Sequence, residues 1–308
     1  MTQTAIVFPG QGSQAVGMLG ELAEQYGVVQ QTFAEASEVL GYDLWALVQQ
    51  GPEADLNETH RTQPALLAAS VSIWRVWQSQ GGATPSVLAG HSLGEYSALV
   101  CAGVLDFKEA IKLVELRGQL MQEAVPAGVG AMSAIIGLDN DAIATACEQA
   151  AQDQVVSPVN FNSPGQVVIA GNKDAVERAN TLCKEAGAKR ALPLPVSVPS
   201  HCALMKPAAE KLAQALESVT FNVPVIPVIN NADVATSTDP AAIKEALVRQ
   251  LHSPVRWTET VERMATEDVE QLLEFGPGKV LTGLTKRINK SLSSAAVNDS
   301  ASLASATA

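Results

Sequence analysis

The sequence has 308 residues, of which 47% are hydrophobic and 17% charged, enough apolar material for one large α/β domain or for a large domain with a small companion. Its formal net charge of −12 disfavours non-specific binding to nucleic acid or to an anionic membrane. No apolar run approaches the roughly 20 residues that span a bilayer, and no basic segment precedes the first apolar residues. We therefore expect a cytoplasmic protein.

Cysteine and histidine side chains are too scattered to indicate a metal centre. There is no C-x-x-C pair, and a disulfide framework is not expected in a chain of this length. The sequence predicts neither a metal site nor a permanently bound cofactor. The residues concerned are Cys101, Cys147, Cys183 and Cys202, and His60, His91, His201 and His252.

The first predicted elements alternate between short apolar strands and helices, which is typical of a largely parallel sheet covered by helices. TAIVF (4–8) and PSVLAG (85–90) are expected strands, and a helix is expected from Leu93 to about Ala102. Residues 106–124 carry the clearest helical pattern, and Asp106 with Glu109 matches the spacing of a capping box.

Residues 130–196 follow the order βαββαβ, which is the ferredoxin-like pattern. We therefore predict a small subdomain at 128–197, inserted into a large domain formed by 1–127 and 198–290. The expected elements of the second segment are a helix at 203–218, a strand at 223–230, helices at 240–252 and 257–266, a strand at 271–276 and a final helix around TGLTKRI. The low complexity of residues 291–308 predicts a mobile tail.

A nucleophile motif stands at the end of the second predicted strand. Gly90-His91-Ser92-Leu93-Gly94 is G-x-S-x-G, in which a serine occupies a sharp strand-to-helix turn. The glycines flanking Ser92 leave room where strand and helix meet, and the helix N-terminus presents free N–H groups to a developing oxyanion. The backbone N–H of Leu93 is well placed for that role. A tight structural turn is the alternative.

His201 is the best candidate for the general base. It lies at a strand-to-helix junction, where the active sites of α/β proteins assemble. His91 adjoins the serine and is better placed to line the pocket mouth. His60 follows a polar stretch and looks like a surface residue, and His252 complements a helix C-terminus. A satisfied structural histidine remains the alternative for His201.

The loop PGQGSQ (9–14) is a candidate for the second oxyanion donor. The first strand of such sheets is usually central, so the backbone N–H of Gln11 is expected beside the serine turn. The alternative is a phosphate-binding glycine loop, since GQGSQA is a relaxed dinucleotide match. However, no acidic residue ends a strand about 20 positions later, and no P-loop lysine follows.

Arg117 falls in the middle of the apolar face of the helix at 106–124. A buried guanidinium keeps its charge and needs an anion. The partner could be a nearby Asp or Glu in a structural ion pair. It could instead be the carboxylate of an acyl substrate, which a planar fork binds with two hydrogen bonds.

Seven segments, in order and at matching spacing, resemble those of the malonyl-CoA:acyl carrier protein transacylases, most closely the stand-alone enzymes of bacterial type II fatty acid synthesis. The likeness runs from the first residues to about 290. The segments are PGQGSQ (9–14), QPAL (63–66), GHSLGEYSAL (90–99), Arg117 in ELRGQLM, NFNSPGQVVIAG (160–171), PVSVPSHCALM (195–205) and EFGPGKVLTGL (274–284).

This resemblance implies a hydrolase-like α/β domain with an inserted ferredoxin-like subdomain, and malonyl-CoA and acyl carrier protein as substrates. It implies Ser92 as nucleophile, His201 as base and Arg117 as the ligand of the malonyl carboxylate, with Gln11 and Leu93 as oxyanion donors. It further implies that the Gln250 carbonyl orients the histidine and that Gln63 and Asn160 line the pocket. Many malonyl-selective relatives have an aromatic residue before the histidine, where this chain has Ser200, so selectivity against methylmalonyl rests on the whole-chain match.

An acidic carrier protein needs a local basic surface on this acidic chain. Lys279, Lys286, Arg287 and Lys290 lie in a segment without acids and are the docking candidates, although a solvated helix face is an equal alternative. We expect a monomer. Two other functions stay open, an esterase or thioesterase and a dinucleotide- or acyl-binding module that uses PGQGSQ.

Overall fold

A central parallel sheet organises the larger part of the computed structural model, which describes residues 3–196 and 198–307. Its strands run in the order β7-β2-β1-β8-β9, and every neighbouring pair is parallel. The expectation that the first strand is central is confirmed. The strands are β1 (Thr4–Phe8), β2 (Val87–Gly90), β7 (Val228–Ile229), β8 (Gln271–Phe275) and β9 (Ser293–Val297).

The second sheet is antiparallel, with the order β4-β5-β3-β6. Together with two helices it has the predicted βαββαβ order, so the α/β class with a ferredoxin-like unit is confirmed. All of its elements lie within the predicted range 128–197, of which Ser197 is outside the described residues. The elements are β3 (Gly130–Ile136), α8 (Asn140–Ala151), β4 (Val156–Ser163), β5 (Gln166–Asn172), α9 (Lys173–Glu185) and β6 (Arg190–Pro193).

The remaining helices surround the parallel sheet, and their apolar side chains pack with those of the strands in two main core clusters. Among the described residues, no helix has both the length and the apolarity needed to cross a bilayer. The helices are α1 (Gly20–Gln25), α2 (Gly27–Leu40), α3 (Leu44–Gln50), α4 (Glu53–Leu56), α5 (Thr59–Ser79), α6 (Gly94–Cys101), α7 (Phe107–Ala124), α10 (Lys206–Glu217), α11 (Pro240–Gln250), α12 (Trp257–Thr266), α13 (Val280–Ile288) and α14 (Ser300–Thr307).

Helix α7 places Arg117 as the sequence pattern predicts. Asp106 caps the helix, and its side chain accepts a hydrogen bond from the backbone N–H of Glu109 at 3.1 Å. The apolar stripe packs against α5, and Gly118 permits this close approach, because a Cβ atom there would lie 2.5 Å from the Cα atom of His60. The helix therefore presents Arg117 to the interior.

Two predicted segments differ from the structure. The strand expected at 223–230 is reduced to Val228–Ile229, because Pro224 and Pro227 have no N–H group to donate to a neighbouring strand. The tail at 291–308, predicted to be mobile, contains β9 and α14. These two elements form although the segment consists mostly of small residues. Val297 and Leu303 provide buried apolar contacts, and β9 pairs with β8 through backbone hydrogen bonds.

Candidate active site

The serine turn has the backbone geometry that a nucleophile elbow requires. Ser92 has a left-handed φ of 53°, which is strained for a residue other than glycine. A Cβ atom on Gly90 would lie 1.9 Å from backbone atoms of Gly94, and one on Gly94 would lie 2.1 Å from the carbonyl oxygen of Phe8. Both glycines are therefore steric requirements of the turn between β2 and α6.

Ser92 and His201 form a hydrogen-bonded pair, with 2.7 Å between Oγ and Nε2. The other ring nitrogen, Nδ1, lies 2.7 Å from the backbone carbonyl oxygen of Gln250. Since a carbonyl oxygen only accepts, Nδ1 carries the proton and Nε2 has a free lone pair facing the serine. The histidine is thus oriented by a backbone carbonyl and can act as a general base toward Ser92.

The environment keeps His201 neutral. Burial, together with the positive charge of Arg117, lowers the pKa of His201 to about 3, and the hydrogen bond to the Gln250 carbonyl opposes this only in part. At neutral pH the imidazole is therefore unprotonated, which is the form that can accept the serine proton.

Arg117 is fully buried and is held by neutral groups. Its Nη1 atom donates to Oε1 of Gln63 at 2.8 Å, and Nη2 donates to Oε1 of Gln250 at 3.0 Å. The guanidinium carbon lies 5.3 Å from the ring centroid of Tyr96, and Nη2 is 3.4 Å from Oγ of Ser92. Within the described residues no carboxylate comes within 4 Å of a guanidinium nitrogen of Arg117, so Arg117 has no partner there for a structural ion pair.

The two expected oxyanion donors have unpaired backbone N–H groups. Neither Gln11 nor Leu93 donates a backbone hydrogen bond to another described residue. The loop of Gln11 packs directly on the serine turn, because a Cβ atom on Gly10 would lie 2.5 Å from the carbonyl oxygen of His91. These groups can donate to an oxyanion formed at Ser92.

The serine opens into a cavity of about 120 Å³, to which strands β3 and β4 of the antiparallel sheet contribute Met132 and Asn160. Asn160 is one of the lining residues, and its buried Oδ1 atom has no hydrogen-bond partner among the described residues. Gln63 is not among the lining residues and instead contacts Arg117. The lining consists of Gln11, Thr59, His91, Ser92, Met132, Asn160, Leu194, Val196, Val198, Ser200 and His201.

The other three histidines do not form the hydrogen bond to Oγ of Ser92 that His201 forms. Nε2 of His91 lies 2.8 Å from Oδ1 of Asn162, and its ring is 5.7 Å from the ring of Trp257. Burial lowers the pKa of His91, so it is a neutral wall of the cavity. His60 lies 3.6 Å from Glu58 at the start of α5, and His252 follows the end of α11.

Two further buried polar residues, Asn231 and Glu95, lie beneath Ser92 and have no role assigned above. Asn231 accepts a hydrogen bond from the backbone N–H of Ser92 at 2.8 Å. Glu95 is 2% exposed and accepts from the backbone N–H of Asn231 at 3.0 Å and from Nε2 of Gln250 at 2.8 Å. The sequence could have indicated Glu95, because it is an acidic residue inside the apolar helix α6. Nothing in the sequence around Asn231 indicates its role.

The four basic docking candidates are all exposed, on or beside α13. One of them has a structural contact, since Nη1 of Arg287 donates to Oε1 of Gln166 on β5 at 2.7 Å. This bond joins α13 to the antiparallel sheet. In the described part of the chain, no cluster of three or more His, Cys, Asp or Glu side chains is arranged to hold a metal ion.

Comparison with known proteins places this geometry in a family. Residues 5–305 match the model of the acyl transferase domain. The chain is 68% identical over 306 residues to the malonyl CoA-acyl carrier protein transacylase of Escherichia coli K12 and equally to that of Salmonella typhimurium, with 99% of each chain covered.

Solved structures agree with these sequence matches. An acyl carrier protein S-malonyltransferase from Vibrio cholerae superposes with a TM-score of 0.97 at 77% identity, with 99% of both chains covered. A malonyl-transacylase solved in complex with a type II PKS acyl-carrier protein has a TM-score of 0.99 at 70% identity, again with 99% of both chains covered.

Proposed function

The chain belongs to the acyl transferase domain family, and we propose that it transfers the malonyl group of malonyl-CoA to the phosphopantetheine thiol of acyl carrier protein through a malonyl ester of Ser92. One observation carries this proposal. Oγ of Ser92 lies 2.7 Å from the base His201 and 3.4 Å from the buried cation Arg117. An acyl group on Ser92 that carries a carboxylate one methylene away brings that carboxylate to the guanidinium.

The first half-reaction forms the ester. Nε2 of His201 takes the proton of Oγ as Oγ attacks the thioester carbonyl of malonyl-CoA. The oxyanion accepts hydrogen bonds from the backbone N–H groups of Gln11 and Leu93. As the tetrahedral intermediate collapses, the C–S bond breaks, and coenzyme A leaves as the thiol with the proton from His201.

The second half-reaction reverses these roles with a different thiol. The phosphopantetheine thiol gives its proton to Nε2 of His201 and attacks the ester carbonyl of malonyl-Ser92. The C–O bond then breaks, and Oγ of Ser92 recovers the proton from His201. Since one site serves both thiols in turn, ping-pong kinetics are expected.

Arg117 selects the acyl group in this mechanism. Gln63 and Gln250 each accept one hydrogen bond from the guanidinium, whose remaining N–H groups can pair with a substrate carboxylate. A neutral acyl group leaves this buried charge unpaired, which disfavours its transfer. Ser200 borders the same cavity with a small side chain, so discrimination between malonyl and methylmalonyl is proposed from the family match alone.

The acceptor's approach is proposed to use the surface around the serine cavity. A groove of about 500 Å³ shares Met132, Leu194 and Val196 with that cavity and offers space for a pantetheine arm. The carrier protein is proposed to dock through Lys279, Lys286, Arg287 and Lys290. We further propose that the enzyme is a monomer in the cytoplasm and has no permanently bound cofactor.

Intact-protein mass spectrometry after exposure to malonyl-CoA tests the function. We expect one malonyl group per chain, its absence in Ser92→Ala, and its removal by holo-acyl carrier protein but not by the apo form. Ser86→Ala, which changes an exposed serine just before β2, is the matched control and should be labelled like the wild type. Full malonylation of Ser92→Ala contradicts the nucleophile, and rapid loss of the label to water without a thiol favours a thioesterase.

A further inference from the structure

The backbone of Ser92 is held on both sides by side chains from distant parts of the chain. Its N–H donates to Oδ1 of Asn231 at 2.8 Å, and its carbonyl oxygen accepts from Nε2 of Gln250 at 3.0 Å. A left-handed φ of 53° costs a non-glycine residue free energy and persists only when the surroundings enforce it. The two hydrogen bonds to the backbone of Ser92 hold it in this conformation.

Asn231 spans the turn. Its Nδ2 atom donates to the carbonyl oxygen of Gly90 at 2.7 Å, while its Oδ1 atom accepts from Ser92. One carboxamide therefore connects the last residue of β2 to the nucleophile two positions later. Asn231 is fully buried and follows β7, the strand next to β2 in the sheet, so the sheet itself carries it to this position.

Glu95 fixes the two side chains that hold Ser92. Its Oε2 atom accepts from the backbone N–H of Asn231 at 3.0 Å and from Nε2 of Gln250 at 2.8 Å. It lies in the first turn of α6, directly below the nucleophile turn, and is 2% exposed. A single buried carboxyl oxygen thus joins the supports of the nucleophile's N–H and of its carbonyl group.

Gln250 extends this network to the other reacting groups. Its backbone carbonyl accepts from Nδ1 of His201 at 2.7 Å, and its side-chain Oε1 accepts from Nη2 of Arg117 at 3.0 Å. The orientation of the nucleophile, the base and the guanidinium therefore depends on one connected set of buried hydrogen bonds.

We propose that Asn231 is a positioning residue that holds Ser92 in its left-handed conformation, and that Glu95 is the buried acceptor that fixes Asn231 and Gln250 beneath it. Neither residue lines the serine cavity. Their loss lowers the reactivity of Oγ without removing any group that binds the acyl chain. The inference rests on the proposed function only for its malonyl readout.

Two pairs of variants test the roles. Asn231→Ala removes both bonds of the carboxamide, whereas Asn231→Asp keeps an acceptor for the N–H of Ser92 and loses the donor to Gly90. Glu95→Ala removes the acceptor, whereas Glu95→Gln keeps a carbonyl oxygen at the same place. Asn230→Ala is the matched control, because it removes a loop hydrogen bond to the N–H of Asp233 and has no contact with Ser92.

The measurements are the single-turnover rate of malonylation, the KM for malonyl-CoA and the rate at which a fluorophosphonate labels Ser92. In the labelling reaction Oγ displaces fluoride at phosphorus, His201 takes the proton, and no malonyl group is needed. We expect Asn231→Ala and Glu95→Ala to slow malonylation and labelling about ten- to hundredfold, with KM changed less than about twofold. Asn231→Asp should fall between Ala and wild type, Glu95→Gln should recover most of the rate, and Asn230→Ala should match the wild type.

Thermal unfolding of each variant separates positioning from folding. If Asn231→Ala does not fold, Asn231→Asp and the Glu95 pair carry the test. Rates within about twofold of wild type in folded Asn231→Ala, or Glu95→Gln as slow as Glu95→Ala, overturn the proposal. A wild-type protein that reacts with the fluorophosphonate but is not malonylated contradicts the proposed function, while the labelling rates still decide the positioning roles.

Discussion

Nη2 of Arg117 lies 3.4 Å from Oγ of Ser92, which brings a fixed positive charge to the atom that is proposed to carry the acyl group. The charge is buried and is met by two glutamines and a tyrosine ring instead of a carboxylate. Such an arrangement is costly in the free protein and becomes favourable once an anion binds. The relation between these two residues therefore predicts which acyl groups react.

Arg117→Ala should reverse the preference between acyl donors. We expect kcat/KM for malonyl-CoA to fall by roughly a hundredfold or more, because the carboxylate loses its buried charged partner. Acetyl-CoA should gain relative to malonyl-CoA, because no guanidinium is then left unpaired. Parallel assays with both donors measure the ratio. An unchanged ratio rejects the selector role, and Arg117→Lys should give an intermediate value because it keeps the charge without the fork.

Gln63→Glu should weaken malonyl binding by giving Arg117 a carboxylate partner inside the protein. The substituted carboxylate would occupy the position of Oε1, which is 2.8 Å from Nη1 of Arg117, and neutralise the charge that the substrate needs. We expect about a tenfold or larger rise in the KM for malonyl-CoA and a smaller change for acetyl-CoA. Gln63→Met, which removes the hydrogen bond without adding charge, is the control. Equal effects of the Glu and Met variants on malonyl-CoA would show that only the hydrogen bond matters.

The imidazole of His201 should remain neutral well into acid. Burial and the nearby charge of Arg117 lower its pKa to about 3, whereas an exposed histidine titrates near 6.5. NMR observation of the ring between pH 4 and 8 should show no titration of His201. In Arg117→Gln the pKa of His201 should rise, since one of the causes that lower it is removed. Titration near pH 6.5 in the wild type would contradict this environment.

Glu95→Gln should flatten the dependence of stability on pH. Burial raises the pKa of Glu95 to about 7, opposed by its hydrogen bonds from Asn231 and Gln250 and by the charge of Arg117, while Asp233 adds to the rise. Between the ordinary value of 4.5 and 7 the unfolded chain releases the proton and the folded chain retains it. The free energy of unfolding therefore loses this contribution as pH rises through that range.

Denaturant unfolding at pH 5 and pH 8 measures the effect. The wild type should lose up to about 3 kcal/mol more than Glu95→Gln between these two pH values, the upper limit set by the pKa shift. Equal losses in the two proteins would show that Glu95 titrates normally.

Charge reversal on and beside α13 should affect only the reaction with the carrier protein. Lys286→Glu with Lys290→Glu is expected to raise the KM for acyl carrier protein about threefold to tenfold at low salt and to leave the KM for malonyl-CoA unchanged. Arg287 is left intact because its bond to Gln166 joins α13 to the antiparallel sheet. Lys112→Glu, an exposed reversal on α7, is the control. Equal effects on both substrates, or an equal effect of the control, would reject the docking surface.

Local patterns were sufficient for much of the fold. The strand at Thr4–Phe8, the helix with its cap at Asp106 and the βαββαβ order all have signals within a few residues of one another. Helix α5 is harder to recognise, because it is buried without a break from Thr62 to Trp74 and has no exposed face over that stretch. The sequence of the tail does not indicate its strand for a related reason. The pairing of β9 with β8 depends on the neighbouring strand and not on the composition of β9 itself.

The sequence alone determined the chemical groups of the site. Ser92 is recognisable because its turn requires two glycines at fixed spacing, and Arg117 because a charged residue interrupts an apolar stripe. Only the tertiary structure decided how they are held. Asn231 contacts Ser92 across 139 positions of sequence, and Gln250 contacts it across 158. Asn231 reaches Ser92 because β7 lies beside β2 and parallel strands bring their carboxyl ends to one edge of the sheet, whereas Gln250 reaches it from the end of α11. No local pattern encodes which elements become neighbours in this way.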